Sequence, residues 1–313
     1  MNRVTPNRVN RGTALAMLFA APCTPAVAFG RQSAALTWYA GRLDGTAQTE
    51  RDSDRVLPAA SVIKLLIALA LIEESRAGRF GLTSRVSLVA RDRVGGSDRF
   101  GAVPPGGYPL AALLDAMLSL SDNTASNALL RALGMARCNE VAQAHGLRST
   151  RIRRFFYDWP AQRRGLENET TAREAAQLLL LIAREAAHAP ALAAVARAAM
   201  KALLAQTDRE TIPAALANRA GIANKTGELP GVRNDVAIVG YGRSDAYVVA
   251  ILDRYASGKR TDAIEAIRNV ARTIDRRYVS SRRSRVTRRA PYGERRPNAL
   301  NSTRFGRMPS NSP

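Results

Sequence analysis

Residues 62–72 are apolar at every position but one, Lys64, so the helix they predict is hydrophobic all round and belongs in a core. Ahead of it, residues 34–40 have strand character and Asp44-Gly45 is a hairpin signal, with the return segment expected through Arg55, Val56 and Leu57 to Pro58. Gly78 suits the left-handed cap that ends the helix. A Gly/Pro-rich stretch, 95–107, reads as a loop that could rim a cleft. Residues 110–120 and 124–133 then read as two helices, separated by the short polar turn Ser121-Asp122-Asn123 and closed by Gly134. Thr171 and Glu174 form a capping-box signature for a helix through 187, and Pro190 begins an alanine-rich helix to 204. Strand patterns at 222–226, 235–241 and 246–252 precede a last helix at 261–277. Strands at both chain ends around a helical block predict an α/β fold. Its antiparallel sheet would be assembled from the two ends and flanked by helices, with an all-α subdomain inserted.

Lys64 changes this picture, because a cation in the first turn opposes the helix dipole and a buried one is also desolvated. Ser61 lies three residues earlier, so the two side chains share a helix face. For the amine to act as a base near neutral pH, its pKa of roughly 10.4 must fall by about three units, or about 4 kcal/mol. Burial, the helix N-terminus and a second cation all act in that direction. Taken alone, Ser-x-x-Lys is equally a capping serine beside a lysine that snorkels out to water.

Composition sharpens the point. The chain of 313 residues carries a net charge of +21, nearly all of it from arginine, and its only lysines are Lys64, Lys201, Lys225 and Lys259. Where arginine is the default cation, a lysine is the residue able to give up its proton. His145 and His188 are the only histidines and stand in no recognisable arrangement, so a Ser-His-Asp machine finds no support. Residues 1–28 read as a signal peptide, with Arg3, Arg8 and Arg11 ahead of an apolar run and Ala26-Val27-Ala28 as a cleavage site. That implies export to the periplasm or the medium. Removal of the signal would take Cys23 with it and leave Cys138 as the sole thiol, which excludes an intramolecular disulfide. Residues 279–313 are Arg-rich and expected to be a disordered tail, able to contact an anionic surface through charge alone. With few aromatic residues there, no specific nucleic-acid partner is implied. The globular domain is therefore expected over 29–278.

In order along the chain, Ser61-x-x-Lys64, Ser121-Asp122-Asn123 and Lys225-Thr226-Gly227 fall on a helix start, an interhelical turn and a strand. This set resembles the class A serine beta-lactamases and, more widely, the penicillin-binding proteins, over about 34–278. The resemblance implies that Ser61 forms an acyl-enzyme with Lys64 as its base. Ser121 would relay a proton to the leaving nitrogen, and Lys225 would keep that region cationic. It further implies that Asn123, Thr226, Gly227 and Glu228 orient the substrate, with the N–H groups of Ser61 and Glu228 as oxyanion hole and Arg233 as a carboxylate partner. No cofactor or metal is implied, and a monomer is expected. The family's Glu-x-x-Leu-Asn loop is missing between 145 and 171, where Leu166-Glu167-Asn168 has related residues at another spacing. Asp158 or Glu167 would then supply the deacylating carboxylate, Asp158 being preferred from its distance before Thr170 and Thr171, unless either is a surface acid. The leading expectation is hydrolysis of beta-lactams. The alternatives are a peptidoglycan-like D-alanyl peptide or an ester as acyl donor, and a non-catalytic penicillin-binding or wall-attachment module.

Overall fold

Residues 35–188 and 193–287 are described by the structure, a computed structural model of the chain. The expected signal and residues 288–313 lie outside them. In chain order the elements begin with β1 (Ala35–Arg42), β2 (Thr49–Arg51) and β3 (Leu57–Pro58), after which a 3-10 turn, Ala60–Ile63, leads into α1 (Lys64–Arg76). β4 (Arg85–Leu88) and β5 (Gly106–Pro109) follow, then α2 (Leu110–Ser119), α3 (Asn123–Leu133), α4 (Met135–Ala144) and α5 (Trp159–Arg163). The remainder is β6 (Glu169–Thr170), α6 (Ala172–Ala186), α7 (Ala194–Leu204), α8 (Ile212–Ala215), β7 (Ala223–Leu229), β8 (Val232–Val239), β9 (Tyr247–Arg254) and α9 (Arg260–Thr287).

Five strands form one antiparallel sheet in the order β2-β1-β9-β8-β7, so the two ends of the chain meet at its centre. Trp38 lies opposite Ile251, and Lys225 opposite Val236. Strand residues alternate between two cores, as period-2 geometry requires. Val248, Ala250 and Leu252 join the core that contains α1, α2, α6 and α7, while Tyr247, Val249 and Ile251 join a second core under α8 and α9. There the Tyr247 and Tyr278 rings stack with centroids 4.5 Å apart.

α1 is enclosed by α3, α4, α6 and α7. Leu65, Leu66, Ile67, Leu69 and Leu71 are all fully buried. At about 1.5–3 kcal/mol for each buried apolar side chain, this run far outweighs the cost of taking one lysine into the same core. The uniform apolar pattern therefore marks a central helix.

Several boundaries differ from expectation. The return strand of the first hairpin is β2, with Trp38 opposite Arg51, and not 55–58. Leu57 and Pro58 pair instead with Thr170 and Glu169, a two-residue ladder short enough to tolerate a proline that donates no hydrogen bond. α9 continues past 277 to Thr287, into the segment expected to be disordered, because arginine is a good helix former and no Gly or Pro intervenes. β4 and β5 pair with each other as a separate ribbon that the Gly/Pro-rich composition of 95–107 conceals. Thr171 caps α6 as expected, accepting from the Glu174 N–H, but the Glu174 carboxylate turns to Ser149 and Thr150.

Candidate active site

Ser61 lies in the 3-10 turn at the mouth of two cavities, and Lys64 opens α1 one turn later. The Lys64 amine is fully buried. It donates to the Ser121 carbonyl at 2.5 Å and to Asn123 Oδ1 at 2.8 Å, lies 3.1 Å from Ser121 Oγ, and stands 4.6 Å over the Phe156 ring. Burial, reinforced by Lys225, holds its pKa well below the ordinary lysine range, with Asp122 opposing.

Ser121 Oγ is also 3.0 Å from the Lys225 amine, which donates to the Thr226 carbonyl at 2.9 Å as well. One hydroxyl thus bridges two buried amines, a continuous path for a proton. Burial lowers Lys225 to about 7, against the smaller raising influence of Asp208 and Asp235. This has a consequence for stability. A lysine with a depressed folded pKa binds fewer protons when folded than when unfolded, between about 7 and its ordinary value of 10.5. Its destabilising effect is complete below about pH 7 and is relieved as pH rises toward 10.5. Chemical denaturation at pH 7, 8 and 9 should show wild-type stability gaining on Lys225→Met as pH rises. A difference constant with pH would refute the shift.

The turn carrying Ser121 is held by Asp122, whose fully buried carboxylate caps α3 at the Ala125 N–H (2.8 Å) and accepts from the Arg99 (3.0 Å) and Phe100 (2.8 Å) N–H groups. Asn123 is fixed at both ends, since its Nδ2 donates to the carbonyls of Gly95 (3.1 Å) and Gly96 (2.8 Å) while its Oδ1 accepts from Lys64. Backbone strain concentrates here. Among the described residues, five non-glycine residues have left-handed φ, and three of them, Ala60 (47°), Ser121 (59°) and Tyr157 (61°), surround Ser61.

β7 is the last strand of the sheet and passes beside Ser61. Gly227 makes that approach feasible, because a Cβ on it would fall 2.9 Å from the Ala59 carbonyl oxygen and 3.0 Å from the Ser61 nitrogen. Thr226 and Glu228 line the larger cavity with Ser61, Ser121 and Asn123. Arg233 lines it too, but its guanidinium, 1% exposed, is paired with Glu228 at 2.7 Å, Asp208 at 2.9 Å and Glu210 at 3.5 Å. A buried arginine requires such compensation. A substrate carboxylate would have to displace one of these acids, which the expected role for Arg233 did not include.

The two candidate acids separate. Asp158 caps α5, accepting from the Ala161 N–H at 2.9 Å, and lines a different cavity from the one that holds Ser61. Its place before Thr170 reflects helix capping, and the geometry does not favour it as the deacylating acid. Glu167 lines a cavity of about 370 Å³ together with Ser61. Its carboxylate is buried and held by Arg154 at 2.8 and 3.0 Å, Gln162 at 3.0 Å and the Asn168 N–H at 2.9 Å. Asn168 anchors the segment to the turn that carries Ser61, its carbonyl accepting from the Ala59 N–H at 2.8 Å. Cys138 is buried, its thiol pushed up to about 12, and it is remote from this chemistry. Among the described residues no group of three or more His, Cys, Asp or Glu side chains is placed to hold a metal ion.

A model of the beta-lactamase enzyme family matches residues 26–278. The chain belongs to that family. PBP-A superposes with a TM-score of 0.70 at 26% identity, over 80% of this chain and 92% of that one. Beta-lactamases share the fold at 24% identity. The one from Sphaerobacter thermophilus has a TM-score of 0.68 over 79% of this chain and 92% of its own. A variant of the reconstructed class A beta-lactamase of the last common ancestor of Gram-negative bacteria reaches 0.69 over 79% and 94%. In sequence, the D-alanyl-D-alanine carboxypeptidase DacB2 of Mycobacterium tuberculosis is 34% identical over 122 residues, 37% of this chain, and the match spans 40% of that protein's length. Ser61 and Ser121 line one cleft, and the buried Lys64 and Lys225 amines both reach Ser121 Oγ.

The sequence reading passed over Phe156, Tyr157, Trp159 and Arg154, all of which line the smaller cavity. A signal was present: four aromatic residues fall within 155–159, in a chain only 5% aromatic.

Proposed function

We propose that the protein is a beta-lactamase that hydrolyses its substrate through a Ser61 acyl-enzyme. The observation that carries this reading is Ser121 Oγ set between two buried amines, at 3.1 Å from Lys64 and 3.0 Å from Lys225, in a cleft that opens at Ser61. Ser61 attacks the lactam carbonyl and its proton passes to neutral Lys64. Ser121 delivers a proton to the departing nitrogen, and Lys64 restores it. The N–H of Ser61 and the edge of β7 at Glu228 receive the oxyanion. Glu167, in the same cavity as Ser61, draws the proton from the water that releases the acyl group.

Intact-mass spectrometry over time with benzylpenicillin and a cephalosporin tests each step. Wild type should show a transient adduct with accumulating product, and Ser61→Ala neither. Glu167→Gln should acylate normally but hold the adduct, with deacylation slowed about 10²- to 10⁴-fold. Unchanged turnover in Glu167→Gln would remove this residue from the mechanism. A second reading, an acyl hydrolase acting on D-alanyl peptides, is favoured by one observation. Glu167 is bound by Arg154 and Gln162, which restrains it from activating water. A persistent adduct already in wild type would decide for that reading.

A further inference from the structure

Ser61 stands where two differently lined cavities meet. The larger, about 560 Å³, contains Ser121 and the charged group Asp208, Glu210, Glu228, Arg233 and Arg260. The smaller holds the paired Arg154 and Glu167 on one side and the rings of Phe156, Tyr157, Trp159 and Tyr255 beside them. Ser121 protonates the leaving group, so the cavity it lines receives the leaving half of a substrate, and the aromatic cavity receives the acyl half. Tyr157 and Trp159 are 41% and 40% exposed, two of the few large apolar side chains left open to solvent among the described residues. They contact each other edge to face, with centroids 5.2 Å apart.

The fold holds these rings deliberately. Tyr157 keeps a left-handed φ of 61°, a conformation that costs a bulky residue of order 1–3 kcal/mol. Its ring lies against Gly95 and Gly96, where a Cβ would come within 2.9 Å of the ring carbon and 3.0 Å of the hydroxyl oxygen, respectively. Asp158 caps the turn that follows, and the Trp159 N–H closes onto the Tyr157 carbonyl at 2.9 Å. Strain, a side-chain-free seat and a helix cap therefore fix two aromatic rings half in solvent beside the nucleophile. Exposed rings maintained in this way gain their contacts from a ligand.

We propose that Tyr157 and Trp159 form a platform that selects acyl donors bearing a flat apolar group on the acyl side, while the charged cavity takes a polar leaving half. This rests on the acyl-transfer reading of Ser61. Trp159 is here a specificity-determining residue outside the proton path.

Benzylpenicillin and 6-aminopenicillanic acid share the bicyclic lactam and carboxylate and differ in the phenylacetyl group, so the ratio of their acylation rate constants isolates the acyl half. That ratio should fall about tenfold in Trp159→Ala and recover most of its value in Trp159→Phe. An unchanged ratio, or equal losses for both compounds, overturns the platform. Calorimetric binding to Ser61→Ala separates the two readings, because it needs no chemistry. Benzylpenicillin should bind at least tenfold tighter than 6-aminopenicillanic acid, and the preference should vanish in Ser61→Ala/Trp159→Ala. That preference in a protein whose wild type is never acylated would retain the platform and end the acyl-transfer reading. Equal binding of both compounds, or none of either, would end the platform.

Discussion

Lys64→Arg should fold and yet lose acylation by about 10²- to 10⁴-fold, the range that a positioned general base supplies. Both side chains carry a positive charge when protonated, but a guanidinium does not release its proton in a protein. The Lys64 amine is shifted toward the neutral form by burial and by Lys225, and its hydrogen bonds to Ser121 and Asn123 place it on the proton path. Arginine overpacks the fully buried site at a cost of about 1–3 kcal/mol, so Lys64→Met provides a control of similar volume that equally lacks a base. Near-ultraviolet circular dichroism would report folding, and the rate of adduct formation with benzylpenicillin would report chemistry. Acylation of a folded Lys64→Arg variant within tenfold of wild type would show that Lys64 acts as a fixed charge and that the base lies elsewhere.

Gly227→Ala should be a severely damaging single-methyl change in the cleft. The added Cβ meets the Ala59 carbonyl oxygen at 2.9 Å and the Ser61 nitrogen at 3.0 Å, both backbone atoms, with the Ala60 Cβ at 3.1 Å. Backbone cannot rotate away as a side chain would, so β7 and the nucleophile turn must separate by several tenths of an ångström. The proposed oxyanion donors, the Ser61 and Glu228 N–H groups, stand on those two segments, and losing one costs about 10²- to 10³-fold in rate. Overpacking adds about 1–3 kcal/mol of destabilisation. Acylation kinetics and a thermal melt together measure both effects. A variant as active as wild type would mean that the Ser61 and Glu228 N–H groups do not jointly bind the oxyanion.

Sequence exposed the parts of this design that depend on local chemistry. The all-apolar run around Lys64, the polar turn at Ser121-Asp122-Asn123 and the Thr171 cap each follow from one segment's own residues, and each stands where the pattern put it. Features that depend on partners distant in sequence were concealed. Whether 49–51 or 55–58 pairs with β1 is settled by the sheet, since both segments follow the same turn. Glu167 and Asp158 are both acids in one loop, and spacing alone could not show that Asp158 caps a helix while Glu167 lines the cavity that holds Ser61. Arg233 reads as a free cation in sequence because Asp208 and Glu210 lie some twenty-five residues away and meet it only when the connection between α7 and α8 folds beside the sheet. The aromatic cluster at 155–159 was visible in composition, but its exposure was not, because aromatic residues more commonly mark a core.

The meeting of the chain ends in the sheet also orders events during synthesis. Ser61 and Lys64 emerge from the ribosome early, whereas β7 lies far downstream and β1 waits for β9 to supply its long pairing partner. Long-range pairing of this kind forms late, since the intervening chain must close before the contacts reward it. A chain stopped before Ala223 contains the nucleophile and the lysine behind it, but neither Lys225 nor the strand that brings an N–H to the oxyanion. On the proposed mechanism, unfinished copies are inert by topology, and reactivity arrives only with the last third of the polypeptide.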